Sequence, residues 1–170
     1  MDITVGDDIV FGRDQALGGI LNLYEGTLTV GGTNTYTGPS EVRAGTSYVN
    51  GIHDESDGFV SNYTVSSGAT LAGTGTIESV VIVIGGGVLA PGANLGTLLI
   101  EFGVTFEDHG IFRAEIDTTN ATTPAASQLD SNGDVVIGTG VTLDVSDLAT
   151  VPNVLAPGKV ITIIDYGTNS

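Results

Sequence analysis

The chain has 170 residues, of which 41% are apolar, and its four basic and 20 acidic residues give a formal net charge of −16. So few Lys and Arg residues cannot neutralise a series of phosphates, which argues against nucleic-acid partners and anionic membrane surfaces. The chain has no Cys, which excludes disulfides, thiol catalysis and Cys-ligated zinc. Its 26 Gly residues, with many Thr and β-branched residues, favour short strands and tight turns over helices.

Residues 1–25 have no counterpart among the repeats that follow, and we expect them to form an N-terminal capping or docking segment. The ends of a repeat fold expose unpaired backbone groups and apolar interior, so they need a cap or a partner. Apolar side chains suited to this role are Ile9, Val10, Phe11, Ile20, Leu21 and Leu23. We therefore expect self-association, or docking to a larger assembly, through this segment.

A short unit recurs from Gly26 onwards, in which Gly is followed by one or two small or β-branched residues and then a large apolar residue. The steps from Gly26 to Gly45 and from Gly68 to Gly87 are both 19 residues. A period near 20 residues, built from short strands and Gly turns, is typical of a β-solenoid. The repeat therefore predicts an all-β fold made of stacked coils.

The predicted solenoid domain spans residues 26–170 and carries loop insertions near 51–62 and 118–130. Successive side chains of a strand point to opposite faces, so Val83 is predicted inward and its neighbour Ile82 outward. The full set of predicted inward positions is Leu28, Val30, Val42, Leu71, Ile77, Val81, Val83, Leu89, Leu98, Ile100, Phe106 and Phe112.

The longest uncharged stretch covers residues 79–100, which is long enough to be considered as a membrane span. Gly and Pro residues interrupt it repeatedly, and its apolar core is β-branched. Two buried strands around a turn fit this pattern better, so we predict no membrane insertion.

Three stretches in this order resemble the autotransporter-associated β-strand repeat, also called the passenger-associated transport repeat. They read GGTNTYTGP at residues 31–39, GATLAGTGTI at 68–77 and GVLAPG at 87–92. The likeness covers roughly residues 26–167. The chain departs from the family pattern at Ser47 and Tyr48, where Leu is usual.

The resemblance implies a right-handed parallel β-helix on a bacterial surface or secreted protein, where such repeats serve as stalk and display scaffold. It carries no catalytic residues and no cofactor. The expected function is therefore a non-enzymatic structural or adhesion module at the bacterial cell surface or outside the cell. The alternative is a virion structural protein, either a capsid decoration protein or a tail fibre, built on the same solenoid. A carbohydrate-active enzyme is a further alternative, which would need an aromatic-lined groove.

Two clusters of oxygen-bearing side chains are candidate metal sites. Asp130, Asn132 and Asp134 alternate as in the start of a calcium loop, but the Gly and Glu that complete such a loop are replaced by Val135 and Val141. An acidic turn is the better interpretation. The cluster at residues 53–57 is interpreted as a solvated loop. No bound metal is therefore expected.

Four residues are candidates for acid–base chemistry. Glu115 and Asp117 lie two apart on one strand face, as a pair of glycosidase carboxylates could. Such a site also needs aromatic or basic subsites, and only Phe112 and Arg113 lie nearby in the sequence, so an exposed strand edge is the better interpretation. His53 and His109 could act as general bases, yet a loop position accounts for both. The acidic residues are expected to stack along the coils, and such crowding would raise their pKa values.

Overall fold

The structure is a computed structural model that describes residues 3–5, 21–34, 38–54, 61–92 and 94–167. All regular secondary structure in these ranges is β-strand, which confirms the predicted all-β class. The strands in chain order are β1 Ile3–Val5, β2 Leu21–Leu23, β3 Thr27–Val30, β4 Thr33–Asn34, β5 Ser40–Val42, β6 Gly45–Val49, β7 Ile52–His53, β8 Asn62–Val65, β9 Ala69–Gly73, β10 Thr76–Ile77, β11 Val80–Val83, β12 Val88–Pro91, β13 Thr97–Ile100, β14 Val104–Phe106, β15 Ile111–Asp117, β16 Ala125–Ala126, β17 Gln128–Ser131, β18 Val135–Ile137, β19 Thr142–Asp147 and β20 Ile164–Tyr166.

The strands form three sheets, and nearly all pairings between neighbours are parallel. The first sheet runs β1-β3-β6-β9-β12-β15, and β15 also pairs with β19 and, antiparallel, with β16. The second runs β2-β5-β8-β11-β14-β18, and the third runs β4-β7-β10-β13-β17-β20. Each turn of the chain adds one strand to each sheet, so the three sheets stack in step along one axis. This arrangement confirms the predicted β-solenoid.

The interior follows the predicted alternation of side chains. All twelve residues predicted to point inward are buried, none of them more than 3% exposed. On β11, Val83 is fully buried while Ile82 is only half-buried, as expected for neighbours on one strand. Equivalent positions meet in register from coil to coil; Leu71 faces Leu89, which faces Phe112. Apolar ladders of this kind form the continuous core.

Glycine is required where the backbones of successive coils approach closely. Gly45 has a φ of +81°, a conformation that L side chains rarely adopt. A Cβ at Gly45 would also collide with the carbonyl oxygen of Gly26 in the preceding coil. At this repeat position Gly is thus a stacking contact as well as a corner.

Strands occur inside three segments that the sequence analysis treated as non-repeat. In the N-terminal segment, β1 pairs with β3 and β2 pairs with β5, whereas residues 1–2 and 6–20 lie outside the described part of the chain. Within 51–62, β7 pairs with both β4 and β10, and residues 55–60 lie outside the described part. Within 118–130, residues 118–124 form a loop, and β16 and most of β17 follow it. Capping by residues 1–25 stays a prediction.

Candidate functional site

A groove crosses the outer face of the first sheet. Tyr48 on β6, Ala72 on β9 and Ala90 on β12 are register partners in one outward-facing ladder. Because Leu89 pairs with Phe112, the next outward position in this ladder is Arg113 on β15. The two alanines lie between a Tyr and an Arg and leave a depression of about 180 Å³. The residues lining it are Thr46, Tyr48, Thr70, Ala72, Ala90, Pro91, Gly92, Arg113 and Glu115.

The polar end of the groove is held in place by an ion pair. Arg113 Nε donates to Asp144 Oδ2 at 2.9 Å, and both side chains are close to half exposed. A guanidinium carries five N–H donors, and the other four of Arg113 have no partner among the described residues. The Glu115 carboxylate likewise has no hydrogen-bond or ion-pair partner there. The groove therefore presents free donors and acceptors beside an aromatic ring.

The two carboxylates of the predicted pair, Glu115 and Asp117, have different surroundings. Both lie on β15, but only Glu115 lines the groove. Asp117 instead accepts a hydrogen bond from the Thr119 backbone N–H at 2.8 Å, and bonds to Thr119 hold the pKa of this carboxyl below its usual value. Asp117 therefore stabilises the start of the 118–124 loop and does not face Glu115 across a common site.

The calcium candidates lie on or next to β17 and point to different partners. Asp130 is in β17 and is register partner to Asp165, another carboxylate. The Asn132 amide donates to Glu101 Oε2 at 2.5 Å, and Asp134 is exposed at the following turn. No group of three or more His, Asp or Glu side chains in the described part of the chain is arranged to hold a metal ion.

The interpretation of residues 53–57 as a solvated loop is wrong for His53, whereas residues 55–57 lie outside the described part of the chain. His53 is the second residue of β7 and is only 1% exposed, because Ile52 takes the outward position and His53 the inward one. Its Nε2 lies 3.2 Å from Ser40 Oγ, and its ring meets the Tyr63 ring edge-on at 5.4 Å. Burial lowers the pKa of His53 to about 4. The interior of the early coils therefore carries a neutral imidazole.

Two more side chains extend this buried polar cluster. The Tyr63 hydroxyl is 3.0 Å from Ser47 Oγ, and burial raises the pKa of Tyr63 to about 12. The Asn34 amide donates to the carbonyls of Gly31 and Ile52. By contrast His109 is exposed, at a turn with a φ of +64°, which agrees with its predicted loop position.

The expected rise of carboxyl pKa values by stacking is wrong for two of the aspartates. The Thr118 side chain is the main group that holds the pKa of Asp147 below its usual value, and Thr118 Oγ1 lies 2.5 Å from Asp147 Oδ2. Asp117 shifts in the same direction because of Thr119. Hydroxyl and N–H donors at the ends of these strands stabilise the charged form more than neighbouring charges destabilise it.

The last coil has a different surface from the rest of the solenoid. Most of the exposed large apolar side chains in the described ranges lie beyond residue 135, and Leu143 and Ile137 are more than half exposed. They border an apolar hollow of about 190 Å³. The residues lining this hollow are Phe106, Phe112, Ile137, Val141, Thr142, Leu143, Ile163 and Ile164. The core is thus open at this end.

Stacked parallel coils with an outward-facing groove define this chain as a β-solenoid. No family model matches the chain. Over 68 residues, or 40% of its length, the chain is 40% identical to the protein named adhesin BmaC autotransporter of Brucella suis biovar 1 (strain 1330). The matching region makes up 2% of that adhesin's length. In the described ranges no helix has the length and apolarity to span a membrane.

Sequence reasoning missed the groove because its residues come from four separate coils. In the sequence, only Phe112 and Arg113 lie near Glu115 and Asp117 as aromatic or basic residues. The structure brings Tyr48 into the same groove as Arg113 and Glu115. The only sequence signal was that Tyr48 replaces a residue that is usually Leu in the repeat.

Proposed function

We propose that the chain is a non-enzymatic structural and display segment of a bacterial surface or secreted autotransporter-like protein. The observation that carries the proposal is the 40% identity to an autotransporter adhesin over 68 residues. The geometry agrees with this role, because stacked coils extend along one axis and every coil contributes outward positions to three sheets. Such a solenoid separates a rigid interior from a surface that can carry binding residues.

The absence of enzymatic activity is part of this proposal. Hydrolysis of a glycosidic bond requires two carboxyl groups flanking that bond. Glu115 is the one acid among the residues that line the groove of the first sheet; Asp117 is engaged by Thr119, and the neighbouring Asp144 is paired with Arg113. His53 is sealed in the core, where no substrate can reach it. These placements favour a scaffold over a catalyst.

Self-association or docking to a larger surface assembly also belongs to the proposal. Apolar side chains are exposed at the open last coil, and coil ends of repeat proteins need a cap or a neighbour. The net charge of −16 favours protein partners over nucleic acid. The comparison offers no support for the virion alternative.

Surface display can be tested by placing the chain, with an N-terminal epitope, between a secretion signal and an autotransporter translocator in a Gram-negative bacterium. Epitope exposure would be measured by flow cytometry on intact cells, before and after external protease. We expect display of the native chain and of an Ile82→Asp variant, but loss of protease-resistant display for Val83→Asp, whose inward carboxylate prevents folding. A native chain that folds in isolation yet never reaches the surface would contradict the proposal.

A further inference from the structure

The groove of the first sheet has the composition of a ligand site. Ala72, which is only 3% exposed, and the more accessible Ala90 line its floor, and Tyr48 stands at one end. Neighbouring strands are about 4.8 Å apart, so the backbones of Tyr48 and Arg113 are about 14 Å apart, and the side chains of both residues line the depression between them. Binding sites for small molecules combine an apolar surface with a few polar groups that fix orientation. Here Arg113 and Glu115 supply those groups.

We propose that this groove binds a neutral sugar ring. A pyranose has apolar C–H faces and a rim of hydroxyl groups, so it can place one face on the Tyr48 ring and the alanine floor. Its hydroxyls can then accept from the free N–H groups of Arg113 and donate to the Glu115 carboxylate. The Thr46 and Thr70 hydroxyls line the same groove and can bond the remaining rim.

Charge and size narrow the ligand class. Arg113, Glu115 and the neighbouring Asp144 together carry a charge of −1, within a chain of net charge −16. This field disfavours anionic ligands, while the Arg113 guanidinium disfavours cationic ones. The volume of about 180 Å³ lies below the range of roughly 300–1,000 Å³ typical of drug-sized ligands. One ring, free or at the end of a glycan, fits these limits best.

This inference goes beyond the scaffold role and is independent of it, because a display scaffold needs no ligand. Its test uses the full chain and NMR titration with the methyl glycosides of glucose, galactose, mannose and N-acetylglucosamine. We expect millimolar binding of at least one of them. The accompanying shifts should fall on the backbone amides of Thr46, Ala72, Ala90 and Glu115.

Variants then assign the binding to the groove. Arg113→Gln and Glu115→Gln each remove a charged hydrogen-bonding partner and should weaken binding about tenfold. Glu107→Gln, which changes an exposed acid outside the groove, should bind like the native chain. Unchanged melting temperatures would show that the variants remain folded. Tyr48→Ala should abolish ring stacking and weaken binding further.

The inference would be overturned by any of three results. The folded native chain could bind none of the four glycosides. The groove variants could bind as tightly as Glu107→Gln, which would locate the site elsewhere. Sialic acid or choline could bind more tightly than every neutral sugar, which would assign the groove to a charged ligand. Display of the chain on cells is measured separately, so failure of either proposal can be recognised by itself.

Discussion

Lowering the pH should destabilise the folded chain through His53. In the unfolded chain the pKa of this side chain has its ordinary value of 6.5, whereas burial lowers it to about 4 in the folded chain. Between pH 6.5 and about 4, His53 is mostly protonated in the unfolded state and mostly neutral in the folded state. The free energy of unfolding therefore decreases as pH falls. Above pH 6.5 the free energy of unfolding is not reduced by protonation of His53. Below about pH 4 protonation of His53 causes no further decrease.

The size of the effect follows from the same two values. One pKa unit corresponds to about 1.4 kcal/mol, so the loss at pH 5 is about 2 kcal/mol and the full loss is about 3 kcal/mol. For a domain whose total stability is about 5–15 kcal/mol, this change is easily measured. It also opposes the stabilisation by mild acidification that raised carboxyl pKa values would have produced. Asp117 and Asp147 do not offset it, because their lowered pKa values contribute stability that is lost below their ordinary range.

Urea unfolding followed by circular dichroism, at closely spaced pH values from 7.5 to 3.5, measures this dependence. The matched variants are His53→Asn, which removes the buried imidazole, and His109→Asn, which removes the exposed one. We expect the native chain and His109→Asn to lose stability alike between pH 6.5 and 4. His53→Asn should be less stable at neutral pH but should show little slope in that window. The reasoning fails if native stability stays flat or rises on going to pH 5, or if His53→Asn keeps the native slope.

Three further predictions concern packing, coil stacking and charge. Val83→Asp should prevent folding, whereas Ile82→Asp should cost much less, as judged by circular dichroism; equal damage at both sites would mean that the strand is covered on both faces. Gly45→Ala should lower stability by more than about 2 kcal/mol, because it adds a collision to the strain of a positive φ. Gly68 has nearly the same φ as Gly45 but open space around it, so Gly68→Ala should lower the free energy of unfolding, measured in urea, by only about 1 kcal/mol. Similar losses of stability at both glycines would refute the stacking contact at Gly45. Raising NaCl to physiological strength at pH 7 should raise the melting temperature by screening the net charge of −16, and calcium at matched ionic strength should do no more; a flat salt response, or a much larger calcium effect, would contradict this.

The apolar core could be predicted because its signal is local. Each inward residue, such as Leu71 or Val83, follows from alternation within a few residues of its own strand. Stacking then brings these positions together without further information. The regular recurrence of Gly was a second local signal, since corners of the coils at Gly26, Gly45 and Gly68 have a positive φ that L side chains rarely adopt.

The polar interior could not be predicted by the same rule, because alternation assigns polar residues to the outside. Ser40, Ser47 and His53 are nevertheless buried, and each finds a hydrogen-bonding partner on another strand. Those partners are 13 and 16 residues away in the chain. Only the register between coils reveals that such polar groups meet inside.

The groove could not be predicted from the sequence, because its residues also come from different coils. Its ladder joins residues 48, 72, 90 and 113, so the intervals between successive members are 24, 18 and 23 residues. Loops of different lengths make these intervals irregular. No fixed period in the sequence therefore points from Tyr48 to Arg113, although each residue is ordinary in its own strand.

The buried contact between Ser40 and His53 also distinguishes the correct stacking register of the coils from registers shifted by one or more coils. In the ladder that contains Ser40, the inward residues of the later coils are Tyr63, Val81 and Val104. A fold in which the strands were shifted by whole coils would place one of these valines opposite the His53 ring. The Nε2 atom of His53 would then lack the Ser40 hydroxyl as a hydrogen-bonding partner. An unsatisfied buried nitrogen costs about 1–3 kcal/mol, whereas apolar ladders of similar residues penalise such a slip only weakly. The few polar residues of the interior thus favour the correct register of the first coils, in a fold whose repeats otherwise resemble one another.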